Sequence, residues 1–285
     1  MIAIAITNSI GMNGGNSMPA PVPLLLDIYP GATIAFSLRK LTYNYTGPCI
    51  RLRRWSDDAE MNFNFVNDVV DTASIMSFVG SSSASVVYWW NQMGGFNLTS
   101  ISSVSQPVLV NSGVMNTRNG HPAMSFDGST QSLYATDFIA QGEYSNFATM
   151  SPNYIGPLQI PVSRAGWTSN SNQTIRQSSS NFESVIYLQS GSLVVPSVSG
   201  INSEGSVYVL NTYSVDYYYI KNSVNSTTST YAIAEPLSAS NTLFAIGSQA
   251  GSYNWNGFFM EYIEYVPSTV ENNTIKTLIM EYYGV

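Results

Sequence analysis

Few side chains in this sequence could do acid–base chemistry, and their spacing does not bring them together. The 285 residues include 17 Asp and Glu, 10 Lys and Arg, one His and one Cys. A glycosidase that retains configuration needs two carboxyl groups about 5–5.5 Å apart. Glu261 and Glu264 stand at odd spacing on a predicted strand, so we expect them to point to opposite faces. Glu183 and Asp216 could meet across strands, but no pattern pairs them, and the carboxylates therefore argue against glycosidase chemistry.

The one imidazole and the one thiol favour structural roles. His121 lies between Gly120 and Pro122, as a turn residue ahead of a strand, without a plausible Ser–Asp partner nearby. Cys49 stands at the start of a predicted strand, where a small buried apolar side chain is the better interpretation. A single Cys excludes an internal disulfide, and one Cys with one His is a poor basis for a zinc site. We therefore expect no cofactor, and a structural calcium ion in the loops is left open.

The cations are concentrated in one stretch. Five of the ten Lys and Arg residues fall within residues 37–54, and acids follow directly. Opposite charges this close in sequence can pair across a strand and a turn. The sequence therefore predicts a structural ion-pair cluster, made of Arg51, Arg53, Arg54, Asp57, Asp58 and Glu60. A phosphate or nucleic-acid patch is the weaker alternative, because the net charge of −7 repels phosphate backbones.

The composition favours a protein that is exposed outside a cell. Charged residues make up only 9% of the chain, against roughly a quarter in ordinary globular proteins. The N-terminus has no cationic segment and only six apolar residues in a row, so neither a signal peptide nor a membrane span is predicted. Synthesis in a host cytoplasm followed by exposure on a virion surface reconciles the two observations.

Residues 1–22 are predicted to form an arm ahead of the main domain. Ile2, Ile4 and Ile6 alternate with alanines, and this period of two favours a strand. A linker rich in Gly, Asn and Pro follows. Such a strand could anchor the chain to another subunit by edge pairing. A plain first strand of the main sheet explains the pattern equally well.

Beyond the arm, turn signals at regular spacing predict short strands, as in a sandwich or jelly roll. Residues 49–55 form one such strand, with Ile50 and Leu52 on the face opposite the arginines. Three helices are predicted as exceptions. The first carries an apolar face made of Ile34, Leu38 and Leu41.

The other two helices have recognisable ends. The second spans residues 71–80, where Asp71 or Thr72 can cap it and Gly80 can end it. The third lies in the C-terminal tail, with Ser268 or Thr269 as its cap. Its predicted apolar face consists of Ile275, Leu278, Ile279 and Tyr282.

Three segments carry a resemblance to a known family: "YTGPCIRLRRWSDDAE" at 45–60, "DTASIMSF" at 71–78 and "YWWNQMGGFN" at 88–97. They resemble the opening of the catalytic domain of arabinofuranosidase B, a pattern shared with phage tail and bacterial surface proteins. Residues 106–135 and 244–285 are similar to laminin-G or concanavalin-like lectin modules. The resemblance implies an all-β fold over residues 23–285. The expected architecture is a concanavalin-like jelly-roll sandwich of two antiparallel sheets with a few short helices.

The chain departs from that family where the chemistry should be. The nucleophilic Glu of the family lies in a stretch like "FDYGNAE", and this sequence has no such stretch. The matching region, "FATMSPNYIGPLQIPVSRAGW" at 147–167, holds no carboxylate. The "DQSGNG" turn of the family keeps Gln92 and Gly94 here, but its Asp has become Asn91. These departures argue against glycosidase activity.

Saccharide recognition uses aromatic faces for stacking and Asn, Gln or Tyr groups for sugar hydroxyls. The turn residues of these types predict a glycan-binding site formed by Trp90, Asn91, Tyr253, Asn254, Trp255 and Asn256. The alternative is that Trp255 plugs the edge of the sandwich and the asparagines shape the turn.

The sequence thus favours a non-enzymatic bacteriophage virion surface protein, such as a fibre, a spike or a capsid decoration subunit. We expect a homo-oligomer, with a trimer most plausible. The arm would bind other virion proteins, and the lectin-like domain would bind a cell-surface glycan. An arabinofuranosidase-like glycoside hydrolase is the alternative, and a glycan-binding module without a structural role is a third hypothesis.

Overall fold

The computed structural model describes most of the chain beyond the predicted arm. The described residues are 23–100, 102–139, 143–156, 158–164, 174–188, 190, 192–215, 219–234, 241–248, 253–267 and 271–285. The predicted anchor residues Ile2, Ile4 and Ile6 lie outside them.

Strands dominate the described residues. The helices are α1 Leu25–Ile28, α2 Thr72–Val79 and α3 Asn272–Tyr283, with a 3₁₀ turn at Ser103–Ser105. The strands are β1 Ala32–Ser37, β2 Ile50–Arg54, β3 Glu60–Phe63, β4 Phe65–Val66, β5 Val69–Val70, β6 Ala84–Trp89, β7 Leu98–Thr99, β8 Val108–Asn111, β9 Val114–Met115, β10 Thr117–Arg118, β11 His121–Pro122, β12 Met124–Asp127, β13 Leu133–Ile139, β14 Ser145–Pro152, β15 Gln159–Ser163, β16 Thr174–Ser178, β17 Asn181–Tyr187, β18 Leu193–Val194, β19 Ser197–Ser199, β20 Tyr208–Val215, β21 Tyr219–Val224, β22 Thr227–Ala232, β23 Asn241–Ile246 and β24 Asn256–Tyr265.

Apart from the two-stranded ladders β4–β5 and β10–β11, the strands form two antiparallel sheets. Sheet A has the order β22–β21–β20–β14–β24, and the far edge of β24 pairs with β12 along its first half and with β1 along its second. Sheet B has the order β3–β2–β6–β7–β13–β23–β15–β16–β17, with β18 and β19 on β17. Strand β8 pairs with both β6 and β12, so hydrogen bonding is continuous between the sheets. The predicted all-β sandwich of two antiparallel sheets with a few short helices is confirmed.

The main core lies between the two sheets, and aromatic rings from both fill it. Phe36 of sheet A lies 5.6 Å from Trp89 and 6.1 Å from Phe244 of sheet B, measured between ring centroids. Phe259 of sheet A makes an edge contact with Trp89 at 6.4 Å. These rings are fully buried, so each removes a large apolar area from water.

A second core covers the outer face of sheet A. Ile275 and Ile279 of α3 are fully buried and pack with Phe147 and Ile263 of the sheet. The predicted C-terminal helix is therefore present and amphipathic. Its buried tyrosine is Tyr283 rather than Tyr282, and Leu278 is only half-buried, because the face against the sheet runs through Ile275, Lys276 and Ile279 and continues one turn later at Tyr283. The predicted caps Ser268 and Thr269 lie outside the described residues.

The first predicted helix is wrong. Its residues form β1 and the segment after it, and β1 is buried on both sides. Ile34 and Phe36 face the core between the sheets, whereas Ala35 faces the second core. A strand covered on both faces is apolar at nearly every position. Helical spacing therefore arises there without a helix.

The other two local predictions are correct. β2 buries Ile50 and Leu52, and Arg51 and Arg53 lie on the opposite face. In α2, the Asp71 carboxylate accepts a hydrogen bond from the Ser74 N–H at 3.0 Å. The helix ends at Gly80, whose φ of 58° favours glycine.

Strand β24 contains a bulge that decides where its side chains point. Its register with β14 shifts between Phe259 and Glu261, which leaves Met260 as the extra residue. Phe259 and Tyr262 therefore face the core between the sheets, whereas Met260 and Ile263 face α3.

Candidate functional site

The predicted glycan-binding residues do not form one site. Trp255 is 0% exposed and packs in the core between the sheets, so its ring cannot stack on a sugar. Gly257 makes room for the indole, because a Cβ at Gly257 would come within 2.7 Å of the Trp255 ring. The prediction for Trp255 is thus corrected in favour of the alternative, in which Trp255 fills the sandwich.

Two neighbours of Trp255 form hydrogen bonds that hold their loop against other segments of the protein. The Asn254 side chain donates a hydrogen bond to the Ser129 carbonyl. The Asn256 N–H donates to the Gln159 side chain at 2.7 Å. Tyr253 is 44% exposed and presents its ring to solvent. Of this predicted quartet, Tyr253 alone offers an aromatic face.

Asn91 is also structural. It is 3% exposed, and its Oδ1 accepts hydrogen bonds from the backbone N–H groups of Ala35 at 2.8 Å and Met93 at 3.1 Å. Its amide nitrogen donates to the Gly94 carbonyl at 2.6 Å. Asn91 therefore fixes the turn after β6 against β1 and is unavailable to a ligand.

Among the described residues, the strongest candidate site is a groove on the outer face of sheet B. Tyr88 of β6 lies directly opposite Thr99 of β7, which lies opposite Tyr134 of β13. Directly opposed residues of antiparallel strands share a face. The depression has a volume of about 290 Å³ and is lined by Tyr88, Gly95, Phe96, Asn97, Thr99, Tyr134, Ala135 and Thr136. We call it the aromatic groove.

A β-bulge in β6 aims Tyr88 into this groove. The register between β2 and β6 shifts at Arg51, which leaves Val87 as the extra residue. Val86 and Trp89 face the core, so Val87 and Tyr88 both lie on the outer side. The bulge therefore places Tyr88 opposite Arg51 on the solvent face.

Trp90 and Arg51 extend the aromatic groove on the β2 side. The Trp90 and Tyr88 rings lie 5.0 Å apart, with 39° between their planes. The guanidinium carbon of Arg51 lies 5.9 Å from the Tyr88 centroid and 5.8 Å from the Trp90 centroid. A cation and two half-buried aromatic rings thus share one rim.

The groove offers binding groups but no hydrolytic pair. In the described part of the chain, the hydroxyls of Tyr88 and Tyr134 have no hydrogen-bond partner and are available to a ligand. Asn97 and the exposed Thr136 add polar groups to the lining. None of the lining residues is a carboxylate, whereas hydrolysis of a glycosidic bond needs two.

The arginines of the predicted ion-pair cluster differ in how they are paired. Arg53 binds Glu60 at 2.8 Å, and Arg54 binds the Asp57 carboxylate through two nitrogens at 2.6 and 2.8 Å. The hydrogen bonds from Arg54 lower the pKa of Asp57 to about 2. Arg51 reaches Glu60 only at 3.8 Å.

Asp58 is the member of the predicted cluster that stands apart from these pairs. It is exposed and adopts a left-handed φ of 58° in the turn between β2 and β3. In the described part of the chain its carboxylate makes neither a hydrogen bond nor an ion pair. Asp58 therefore contributes the shape of the turn rather than a charge contact.

The two fully buried carboxylates among the described residues face arginines on opposite sides of β24. Glu261 accepts hydrogen bonds from Arg39 at 2.7 and 2.8 Å and from the Ser37 hydroxyl at 2.7 Å. Glu264 binds Arg164 at 2.7 Å in the interior. Burial alone would lower the pKa of Arg39, but the adjacent Glu261 carboxylate outweighs burial and raises it. Both carboxylates are engaged in the scaffold.

The remaining sequence candidates do not add a catalytic pair. Glu183 forms an ion pair with Arg176, and Asp216 lies outside the described residues. His121 is half-buried, and its ring lies 4.4 Å from the Tyr282 ring. Burial, and then the nearby positive charge of Arg39, lower the pKa of His121.

The described residues provide neither a cluster of metal ligands nor a helix that could cross a membrane. They contain no group of three or more His, Cys, Asp or Glu side chains that could hold a metal ion. Their helices are all too short or too polar to cross a membrane.

Sequence reasoning named Trp90 but missed Tyr88 and Tyr134. The run "YWW" alternates Tyr88 and Trp90 on one face, and this signal was available in the sequence. Tyr134 lies in β13, and only the pairing of β7 with β13 brings it to the same groove.

Solved structures identify the fold. No protein-family model and no curated protein matches the sequence. A GH54 α-L-arabinofuranosidase soaked with a cyclic sulfate inhibitor matches with a TM-score of 0.62 and 14% identity, over 90% of this chain and 64% of that one. An arabinofuranosidase complexed with arabinofuranosyl-α-1,2-xylobiose matches with a TM-score of 0.63 and 16% identity, over 87% and 62%. This chain has the arabinofuranosidase fold. The similarity at these identities is one of fold, and the chain spans less than two thirds of either arabinofuranosidase.

Proposed function

We propose that this chain is a non-enzymatic carbohydrate-binding protein that uses the aromatic groove. The observation that carries the proposal is the lining itself: Tyr88 and Tyr134 for the faces of a sugar ring, polar groups for its hydroxyls, and no carboxylate to cleave it. The groove volume of about 290 Å³ lies at the small end of ligand pockets, which suits a short stretch of a saccharide.

The setting that we propose is the surface of a bacteriophage virion, where the chain is a fibre, spike or capsid decoration subunit. The low content of charged residues supports exposure on a particle, and the groove supports attachment to a glycan of the host surface. In this setting the chain forms a homo-oligomer, with a trimer as the proposed state, and residues 1–22 bind other virion proteins. Light scattering of the purified protein checks the oligomer: a monomer at all concentrations would contradict it.

A glycan array with matched tyrosine variants tests saccharide binding. We expect Tyr88→Ala to lower the affinity for the bound glycan by about 10-fold or more, because a stacking face is lost. Tyr43→Ala is the control, since Tyr43 is an exposed tyrosine outside the groove, and we expect it to bind as the wild type does. Tyr253→Ala separates the groove from the loop that the sequence favoured. Loss of binding in Tyr253→Ala but not in Tyr88→Ala would move the site to that loop.

An arabinofuranosidase activity is the second candidate, because the fold is shared with arabinofuranosidases over about 90% of this chain. A chromogenic assay with 4-nitrophenyl α-L-arabinofuranoside decides between the two functions. We expect no turnover above the uncatalysed rate. Turnover that disappears when a single carboxylate is replaced by its amide would establish the enzyme instead.

A further inference from the structure

Arg51 uses fewer of its N–H donors than the other two arginines of β2 do. Arg53 donates two hydrogen bonds to Glu60, and Arg54 donates two to Asp57 and one to a backbone carbonyl. Arg51 donates one, from Nε to Asn62 at 2.8 Å. Its distance of 3.8 Å to Glu60 is too long for a hydrogen bond. Both terminal amino groups of Arg51 are therefore without a hydrogen-bond partner among the described residues.

These amino groups lie at the edge of the aromatic groove. Arg51 stands directly opposite Tyr88 across the β2–β6 pair. Its guanidinium lies within 6 Å of the Tyr88 and Trp90 centroids, and its side chain is 39% exposed. A sugar ring that stacks on either aromatic side chain therefore has its substituents within reach of Arg51.

The local charge also favours an anion. Arg51 and Arg53 share one carboxylate partner, Glu60, which lies at 2.8 Å from Arg53 and at 3.8 Å from Arg51. The charge of Arg51 is therefore the less neutralised of the two. A guanidinium binds a carboxylate through two parallel N–H···O bonds, because the two planar groups match in width.

We propose that the aromatic groove selects a saccharide that bears a carboxylate, such as a uronic acid unit, and that Arg51 binds this carboxylate through its terminal amino groups. The proposal rests on the proposed function, since it names the class of sugar that the same groove takes. Tyr88 or Trp90 holds the ring of the acidic unit. The Thr136 hydroxyl and the Asn97 amide nitrogen are available to the hydroxyls of the adjoining unit, since the Asn97 Oδ1 already accepts from the Asn91 N–H.

Titration calorimetry with trigalacturonic acid and with its methyl ester tests this selectivity. The two probes share ring and linkage and differ in charge. We expect the acid to bind at least about 10-fold more tightly than the ester. Arg51→Gln should lower the affinity for the acid until the difference between acid and ester is lost. Arg54→Gln is the matched control, because it removes the same charge from the same strand at an arginine that is paired with Asp57.

Glu60→Gln should raise the affinity for the acid instead of lowering it. It removes the one carboxylate that competes for Arg51, so the acid should bind more tightly while the ester does not. Equal binding of the two probes, or equal losses in Arg51→Gln and Arg54→Gln, would overturn the selectivity. If both probes bind equally and Tyr88→Ala abolishes both, the carbohydrate-binding function stands and the acidic preference fails. If neither probe nor any arrayed glycan binds in a Tyr88-dependent manner, the proposed function itself fails.

Discussion

The outer faces of the two sheets are built in opposite ways. Sheet A is covered by α3, and its buried Glu261 is fully engaged by Arg39 and the Ser37 hydroxyl. Sheet B carries the aromatic groove, where Arg51 and the tyrosine hydroxyls keep unused hydrogen-bonding capacity in the described part of the chain. This difference indicates that the open outer face of sheet B is the better place for a ligand site. Buried polar groups that pair with the scaffold, such as Glu261, stabilise the fold, whereas spare donors on an open face are available to a ligand.

The largest effect should come from the buried ion pair behind sheet A. Glu261→Gln leaves Arg39 as a buried cation without a counter-charge, and we expect it to lower the free energy of unfolding by about 3–5 kcal/mol. Chemical denaturation measures this loss. Glu60→Gln on sheet B is the control and should cost no more than about 1 kcal/mol, because its ion pairs are partly exposed. Equal losses of stability in the two variants would contradict the difference between a buried ion pair on sheet A and exposed ion pairs on sheet B.

The packing of α3 on sheet A should show the next largest effect. Ile279→Ala leaves a cavity between the helix and the sheet, and we expect a loss of about 3 kcal/mol in the free energy of unfolding. The exposed Thr277 on the same helix provides the control, since Thr277→Ala should change stability by no more than about 0.5 kcal/mol. A small loss for Ile279→Ala would mean that α3 does not cover the sheet in solution.

The aromatic groove should tolerate substitution. Tyr88→Ala removes a half-buried ring from an open face, so we expect a loss of about 1 kcal/mol or less. The same denaturation experiment measures it, and the folded variant is then suitable for the binding assays. A loss as large as that of Ile279→Ala would show that Tyr88 belongs to the scaffold rather than to a ligand site.

The smallest effect should be a pH dependence that originates behind sheet A. Burial and the charge of Arg39 lower the pKa of His121 in the folded state, while Glu261 acts in the opposite direction. The unfolded chain therefore binds a proton at higher pH than the folded chain does. The contribution of His121 is fully present above its unfolded pKa of about 6.5, and it is lost as the pH falls from there towards the folded value.

His121→Phe keeps a ring against Tyr282 but cannot titrate. Unfolding measured from about pH 5 to pH 8 should show that the wild type loses more stability than this variant towards the acidic end. A parallel pH dependence of the two proteins would contradict the assignment.

The parts of the fold with local signals could be predicted from the sequence. The cap of α2 at Asp71 and its end at Gly80 depend on neighbouring residues alone, and both are correct. The strand at Ile50–Arg54 is also correct, because its two faces differ sharply in polarity. The helix predicted at β1 is wrong, since a strand that is covered on both faces shows no alternation of apolar and polar residues. That covering comes from distant elements, sheet B on one face and the second core with α3 on the other.

The site was harder to predict because its residues come from separate strands. Tyr88, Thr99 and Tyr134 are far apart in sequence and become neighbours only through the pairing of β6, β7 and β13. The position of Trp255 in a turn predicts a binding role for it. Trp255 is fully buried and therefore cannot bind a sugar. Its burial depends on how the two sheets pack together around the turn, which the local sequence does not encode.

The bulge at Met260 also decides into which core each buried carboxylate points. Strict alternation from Phe259 onwards would have turned Glu261 into the core between the sheets and Glu264 towards the second core. Each acid would then lie about 10 Å along the strand from the arginine on its new side, because three residues separate the two acids. The match of both acids to their arginines therefore depends on one additional residue in β24, and its deletion would break both ion pairs at once.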